Sequence, residues 1–346
     1  MISRKTVLTA IVLLLATMSG CATQAASQVG PSPMVGKEAE KVVIAQPSIG
    51  ESWLPVYLAD KLGYYNEAGL KVEYATFSGG GPLVIASLMA GDSQFALTGY
   101  DQVLKTYDQG KSTKMIMATS NRNPWALVVG KDIKSFADLK GKKVGGGMEG
   151  SSVRAFVRAC LKYGGLDPNK DVEYVSVPAD AVVGALEKGD IAAAMGSGLN
   201  KVELQKRGYT FLVNLTDPQQ HQKVIGSKEF PLYVVQVTDD LIKNRPATVE
   251  NFTNAVVRAM KWQNSHSAEE IADQISSFYP NAAKDALVTD IKDTQLTLSP
   301  DGYFTKEGHA AVINSALDVG MIKRAVAMEN VVDDSFLKKA HAKYAK

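Results

Sequence analysis

The sequence predicts an α/β protein of two like lobes with a ligand cleft between them. Three observations lead there: strand and helix signals alternate from residue 41 onward, the same order returns about a hundred residues later, and a Pro-led β-rich segment follows each unit. Residues 41–45 (KVVIA) form a short apolar run that suits a buried parallel strand. A loop over 46–53 precedes helical spacing at 54–62, and Gly63 and Gly69 punctuate the chain before a strand at 71–74. A glycine-rich loop at 78–81 opens an apolar helix over 83–89, which Gly91 and Asp92 end before a strand at 95–97. This is βαβαβ, which implies parallel pairing with right-handed crossovers.

The second unit begins with Lys143 and Val144, passes the loop at 147–152 and enters a helix over 153–163. Gly50, Ser52, Val72, Glu73 and Tyr74 match Gly150, Ser152, Val172, Glu173 and Tyr174 at an offset of 100. Leu88, Gly91, Asp92 and Ala96 match Leu186, Gly189, Asp190 and Ala194 at an offset of 98. The segments 124–129 and 231–235 read as paired strands crossing between the lobes. Beyond Thr238 the chain is mostly helical: Thr248 is placed to cap a helix over 249–262, and Ser267 with Glu270 makes a capping box. These late helices are expected to pack on the first lobe. The lobes are then 41–125 with 231–346, and 126–230.

Composition excludes several classes. Lys and Arg number 38 against 36 acids, and the two excess cations are Arg4 and Lys5, so the body is neutral. A neutral body without a dense basic run argues against nucleic acid as a partner. Two cysteines, Cys21 and Cys160, cannot build a disulfide framework or a cysteine-based zinc finger, and four scattered histidines make no HExxH. No metal and no cofactor is expected. Arg4 and Lys5 precede an apolar run over 7–18, too short for a bilayer core of about 30 Å but suited to a signal peptide. Met18-Ser19-Gly20-Cys21 resembles a bacterial lipobox, so 1–20 reads as a lipoprotein signal, Cys21 as the lipidated residue and 21–40 as a tether. That places the protein on the extracytoplasmic side of a bacterial cell envelope. Cys160 reads as a buried packing residue.

Parallel α/β units bind ligands outside the carboxyl ends of their strands. Those loops are 46–53, 78–81 and 98–101 in the first lobe, and 146–152, 178–180 and 196–199 in the second. They supply the candidate ligand-binding residues Ser48, Glu51, Ser52, Trp53, Gly80, Tyr100, Asp101, Glu149, Ser151, Ser152 and Ser197, with Arg122 and Trp125 from the first crossover. Small hydroxyl residues and glycines near helix N-termini offer donors, and aromatic rings offer walls for a flat ligand. The loops at 48–53 and 147–152 correspond across the repeat. In this reading Ser151 and Ser152 donate from one side, while Glu51 and Trp53 supply an acceptor and a stacking face from the other. Gly145, Gly147 and Gly150 satisfy GxGxxG, yet the next candidate ribose acid, Asp180, stands about thirty residues on rather than about twenty. Gly110-Lys111-Ser112 resembles the end of a Walker A loop, but Lys105 replaces its first glycine. No GxSxG elbow is present.

Several stretches together resemble a known family: the lipobox at Cys21, LADKLGYYNEAGLKVEY, SGGGPLVIASLMAGDSQFALTG, SFADLKGKKVGGG and GLDPNKDVEYVSV. They are similar to solute-binding proteins of ABC importers, nearest the branch for nitrate, sulfonates, taurine and thiamine-pyrimidine precursors. The resemblance spans residues 41 to about 262. It implies a type II periplasmic-binding-protein-like fold with two crossover strands, a monomer, and delivery of a small molecule to a permease with a separate ATPase. Eukaryotic relatives that make the thiamine pyrimidine use a cysteine-rich motif, which this chain lacks. A non-enzymatic binding protein is therefore expected. The alternatives are a ligand-sensing lipoprotein for a membrane receptor and an exported enzyme on the same fold.

Overall fold

The computed structural model describes residues 38–77, 81–178 and 181–345. The first unit runs β1 (Glu40–Gln46), α1 (Leu54–Lys61), α2 (Tyr64–Glu67), β2 (Leu70–Thr76), α3 (Gly81–Ala90), β3 (Phe95–Gly99), α4 (Tyr100–Asp108) and β4 (Thr113–Ala118). The second runs β5 (Ala126–Val129), β6 (Lys142–Gly145), α5 (Ser152–Tyr163), β7 (Val172–Val175), α6 (Val182–Lys188), β8 (Ala193–Gly196), α7 (Gly198–Lys206), β9 (Thr210–Asn214) and α8 (Pro218–Ile225). Then come β10 (Tyr233–Thr238), α9 (Asp239–Asn244), α10 (Pro246–Asn264), α11 (Ala268–Ile275), α12 (Lys284–Gln295), α13 (Lys306–Asp318) and α14 (Ser335–Lys343).

Two five-stranded mixed sheets result, in the orders β2-β1-β3-β10-β4 and β7-β6-β8-β5-β9. The internal repeat extends to strand register. Val43 lies opposite Glu73 as Lys143 lies opposite Glu173, and Ile44 lies opposite Phe95 as Val144 lies opposite Ala193. Gly91 and Gly189 both take positive φ, 81° and 73°, which a Cβ would disfavour. The two crossover strands do not pair with each other as the sequence reading had it. Each is the antiparallel fourth strand of one sheet: β10 beside β3 with Val235 opposite Leu97, and β5 beside β8 with Leu127 opposite Met195. The chain segments leading into them do meet, where the Phe230 N–H donates to the Asn121 carbonyl at 2.7 Å.

Helices cover the sheets and close the cores. Leu54 and Leu58 of α1, Phe252 of α10, Ile291 of α12 and Leu337 of α14 are buried together with Val42 and Leu97 of the first sheet. Leu204 of α7 and Leu186 of α6 bury against Val128 and Ala194 of the second. One cluster joins the two sides, since Tyr100 of α4, Phe156 of α5 and Val312 of α13 share it. Helix α13 packs on α4 of the first lobe and also on α5 of the second, filling the angle between them. The predicted cap also moves. Helix α10 begins at Pro246, whose fixed φ suits a first turn, so Thr248 is already helical and its hydroxyl donates to Glu40 Oε1 at 2.9 Å. Ser267 and Glu270 make the expected capping box at α11. Among the described residues no helix is long and apolar enough to cross a membrane.

Candidate functional site

The carboxyl ends of β1, β6 and β8 open onto one cleft. A cavity of about 520 Å³ is lined on one side by Ser48, Gly50, Ser52 and Trp53, and on the other by residues 197–200, with Tyr233, Tyr279 and Thr294 completing it. A neighbouring pocket of about 150 Å³ is lined by Trp125, Gly145, Gly147, Val153 and Met195. Ser197 lines both. Three aromatic side chains run between them. The Trp53 ring meets Tyr233 edge-on at 5.0 Å, and Trp125 Nε1 donates to the Tyr233 hydroxyl at 3.0 Å. Trp53 is 4% exposed and its indole N–H has no hydrogen-bond partner. A larger groove, about 620 Å³, lies between α5, α8 and α13, away from these strand ends.

The structure brings Ser48, Ser52, Trp53, Trp125 and Ser197 of the predicted set into this cleft and engages Tyr100, Asp101, Arg122, Glu149, Ser151 and Ser152 elsewhere. Tyr100 is fully buried, and its hydroxyl lies 2.5 Å from His309 Nδ1, because α4 faces α13 rather than the cleft. Asp101 is buried as well and accepts a hydrogen bond from Ser152 Oγ. Burial raises the Asp101 pKa, while the Ser152 hydroxyl pulls it down. Ser151 caps α5, accepting from Arg154 N at 3.3 Å and donating to the Met148 carbonyl at 2.7 Å. Glu149, with a side chain 77% exposed, pairs with Arg154 at 3.0 Å. Arg122 donates to the Leu296 carbonyl, a backbone acceptor that draws it off the cleft. Gly80 and Cys21 lie outside the described residues, as does the side chain of Glu51.

Two of these placements correct the sequence reading in kind. Ser152 was expected to serve a ligand; instead it satisfies a buried carboxylate on the helix opposite. Ser152→Ala is therefore expected to lower the stability of the unliganded protein by about 1–3 kcal/mol, measured by denaturant melts, because Asp101 loses its donor. Trp53 is expected to be a stacking face, and it is a core residue that also lines the cleft. The glycine run has a packing cause. A Cβ on Gly146 would stand 2.3 Å from the Tyr174 ring, and Arg154, whose guanidinium lies 3.8 Å from that ring's centre, donates to the Gly146 and Gly147 carbonyls at 3.0 and 2.9 Å.

Sequence reasoning missed Asn200, Tyr279 and Thr294. The last two come from the chain after the second crossover, Tyr279 from the connection before α12 and Thr294 from α12 itself, and carry no local motif. Lys201 was missed too. It is 3% exposed and lies 2.6 Å from Asp293 and 2.8 Å from Asn214 Oδ1. Burial lowers its pKa, and Asp293 and Asp290 push it back up. Cys160 is buried and free, and burial pushes its thiol up to about 12. Among the described residues no group of three or more His, Cys, Asp or Glu side chains could hold a metal ion.

Known proteins agree on the fold. The chain is 26% identical over 279 residues to the candidate binding protein YtlA of Bacillus subtilis (strain 168), covering 75% of this chain and 78% of that one. A ligand-binding component of an ABC-type import system from Staphylococcus aureus superposes with a TM-score of 0.72 at 15% identity, over 87% of this chain and 99% of that one. The periplasmic aliphatic sulphonate binding protein SsuA of Escherichia coli gives 0.66 at 15%, over 86% and 99%. The desulfurization enzyme DszB shares the fold as well, at 0.64 and 16%, over 88% and 99%. The architecture is that of the two-lobed periplasmic binding proteins. Residues 51–270 match the NMT1/THI5-like family model, about two-thirds of the chain, and the protein belongs to that family.

Proposed function

We propose that the protein is the solute-binding lipoprotein of an ABC-type importer, held at the extracytoplasmic face through Cys21 after removal of residues 1–20. In this reading residues 21–40 tether two lobes, 41–125 with 231–346 and 126–230, that close on a small molecule and present it to a permease. One observation carries it: the cleft at the strand ends takes its lining from both sheets, so a solute seated there favours the closed arrangement by touching both walls. The import and binding roles named for the Staphylococcus aureus, Escherichia coli and Bacillus subtilis proteins support it.

The lining also argues for a ligand class. None of the described residues lining the two cleft pockets is Asp, Glu, Lys or Arg. The remaining residues of the cleft loops add the acids Glu51, Asp101, Glu149 and Asp180 and no cation. An ion moved out of water without a counter-charge costs several kcal/mol. A flat ring against aromatic walls gains about 0.5–1.5 kcal/mol per ring pair beyond area burial. An acceptor on the ring would also relieve the unpartnered Trp53 N–H. The expected solute is an uncharged aromatic or heterocyclic organic molecule rather than nitrate or a sulfonate.

A thermal-shift series on the full-length protein in detergent, with nitrate, ethanesulfonate and a panel of uncharged pyrimidines and other heterocycles, tests this. A ring compound at about 100 times its Kd should add about 2.7 kcal/mol, and the two anions nothing. Stabilisation by ethanesulfonate with no response to any ring compound would contradict the ligand class. A second reading, an enzyme on this scaffold, is favoured by the likeness to DszB. It predicts that the bound compound is consumed.

A further inference from the structure

We infer, resting on the binding reading above, that Lys201 is a positioning residue of the cleft: its buried ammonium, held by Asp293, fixes the spacing between the α7 wall and the α12 wall. Asn200 immediately precedes Lys201, and Thr294 immediately follows Asp293; these two neighbours line the cavity from opposite walls. The ion pair at 2.6 Å therefore lies one residue behind both lining surfaces. On its own side the ammonium is anchored by Asn214 Oδ1 at 2.8 Å, Thr216 Oγ1 at 3.4 Å and the Pro124 carbonyl at 3.5 Å. Asp293 is the partner that reaches across.

The helices belong to different cores, since Leu204 of α7 is buried with the second sheet and Ile291 of α12 with the first. A link between them is a link between lobes. A second rung, Lys206 to Asp285 at 2.6 Å, joins the same helices, but its side chains are 50% and 73% exposed and solvent screens it. The buried rung differs: with the Lys201 side chain 3% exposed, opening the cleft strands an ammonium among neutral acceptors until water reaches it. The cleft's resting width is thus set by the chain itself before any solute enters.

Hydrogen–deuterium exchange of the full-length protein in detergent, with no added solute, tests this. Lys201→Met and Asp293→Asn should each raise exchange about tenfold in peptides covering 197–200 and 48–53, with β3 and β8 unchanged. Lys201→Arg, which keeps the charge and its partner, should stay near wild type, and Lys206→Ala within about twofold. Unchanged exchange at both walls in Asp293→Asn would overturn the assignment. So would a rise shared equally by β3 and β8, because Lys201 would then support the fold and not the cleft. Since no solute is present, a failed ligand reading leaves this result interpretable on its own.

Discussion

Trp53→Ala is expected to lower the unfolding free energy by about 3–5 kcal/mol, the scale for removing a large buried aromatic side chain. The ring is 4% exposed, sits in the first core beside Leu54 and Tyr57, and meets Tyr233 at 5.0 Å. Its truncation leaves a cavity under the cleft wall and removes the ring edge packed on Tyr233, which accepts from Trp125. Solute affinity should fall with stability, and Trp53→Phe should recover much of both. Urea melts read the first quantity and calorimetric titration with a ring compound the second. A loss below about 1 kcal/mol would mean that the ring is not core.

The second large effect is a stability slope between about pH 6.5 and pH 4. His221 is fully buried between the two crossover segments, with Nδ1 at 3.1 Å from the Ser227 carbonyl and Nε2 at 3.4 Å from the Asn123 N–H. That pairing suits a neutral ring with the proton on Nδ1. Burial pulls its pKa down to about 4, with Arg122 adding to the fall and the Ser227 contact opposing it. The unfolded chain takes up this proton near pH 6.5, whereas the folded chain takes it up only near pH 4, so the unfolded state binds more protons in between. The contribution is complete above pH 6.5 and is lost as pH falls toward 4, on the order of 3 kcal/mol in all. Asp101 works in the opposite sense, because its raised pKa makes the folded state the better proton binder in the acid range. His221→Gln keeps a donor and an acceptor without titrating, and should flatten the slope in melts recorded across that range. An unchanged slope would show that another group carries it.

Much of the fold was legible because it depends on local chemistry repeated at a fixed spacing. The matches at Val72, Glu73 and Tyr74 and at Ala96 fall on strands whose pairing repeats in the second sheet, so residue pattern and register agree there. The crossover strands were legible as β-rich segments but not in their pairing, since a short apolar strand fits any sheet with a vacant neighbour. The cleft was partly legible for the same reason. Loops after parallel strands are placed by topology, which located Ser48, Ser52, Trp53 and Ser197. Where side chains turn is a different matter. Asp101 and Ser152, read as loop residues, each sit in the first turn of a helix, and they point at each other across the fold. Arg122 found a backbone carbonyl 174 positions away, and Lys201 a carboxylate on α12, partners that no local spacing encodes.

In the proposed role the protein captures a small ring compound and releases it unaltered. Native mass spectrometry of the full-length protein released from detergent micelles, after incubation with the ring compound that gives the largest thermal shift, tests that claim most directly. The account predicts a complex with one ligand per chain, with the compound recovered at its original mass after prolonged incubation. Recovery of a chemically altered compound in amounts exceeding the protein would contradict it and make the chain an enzyme.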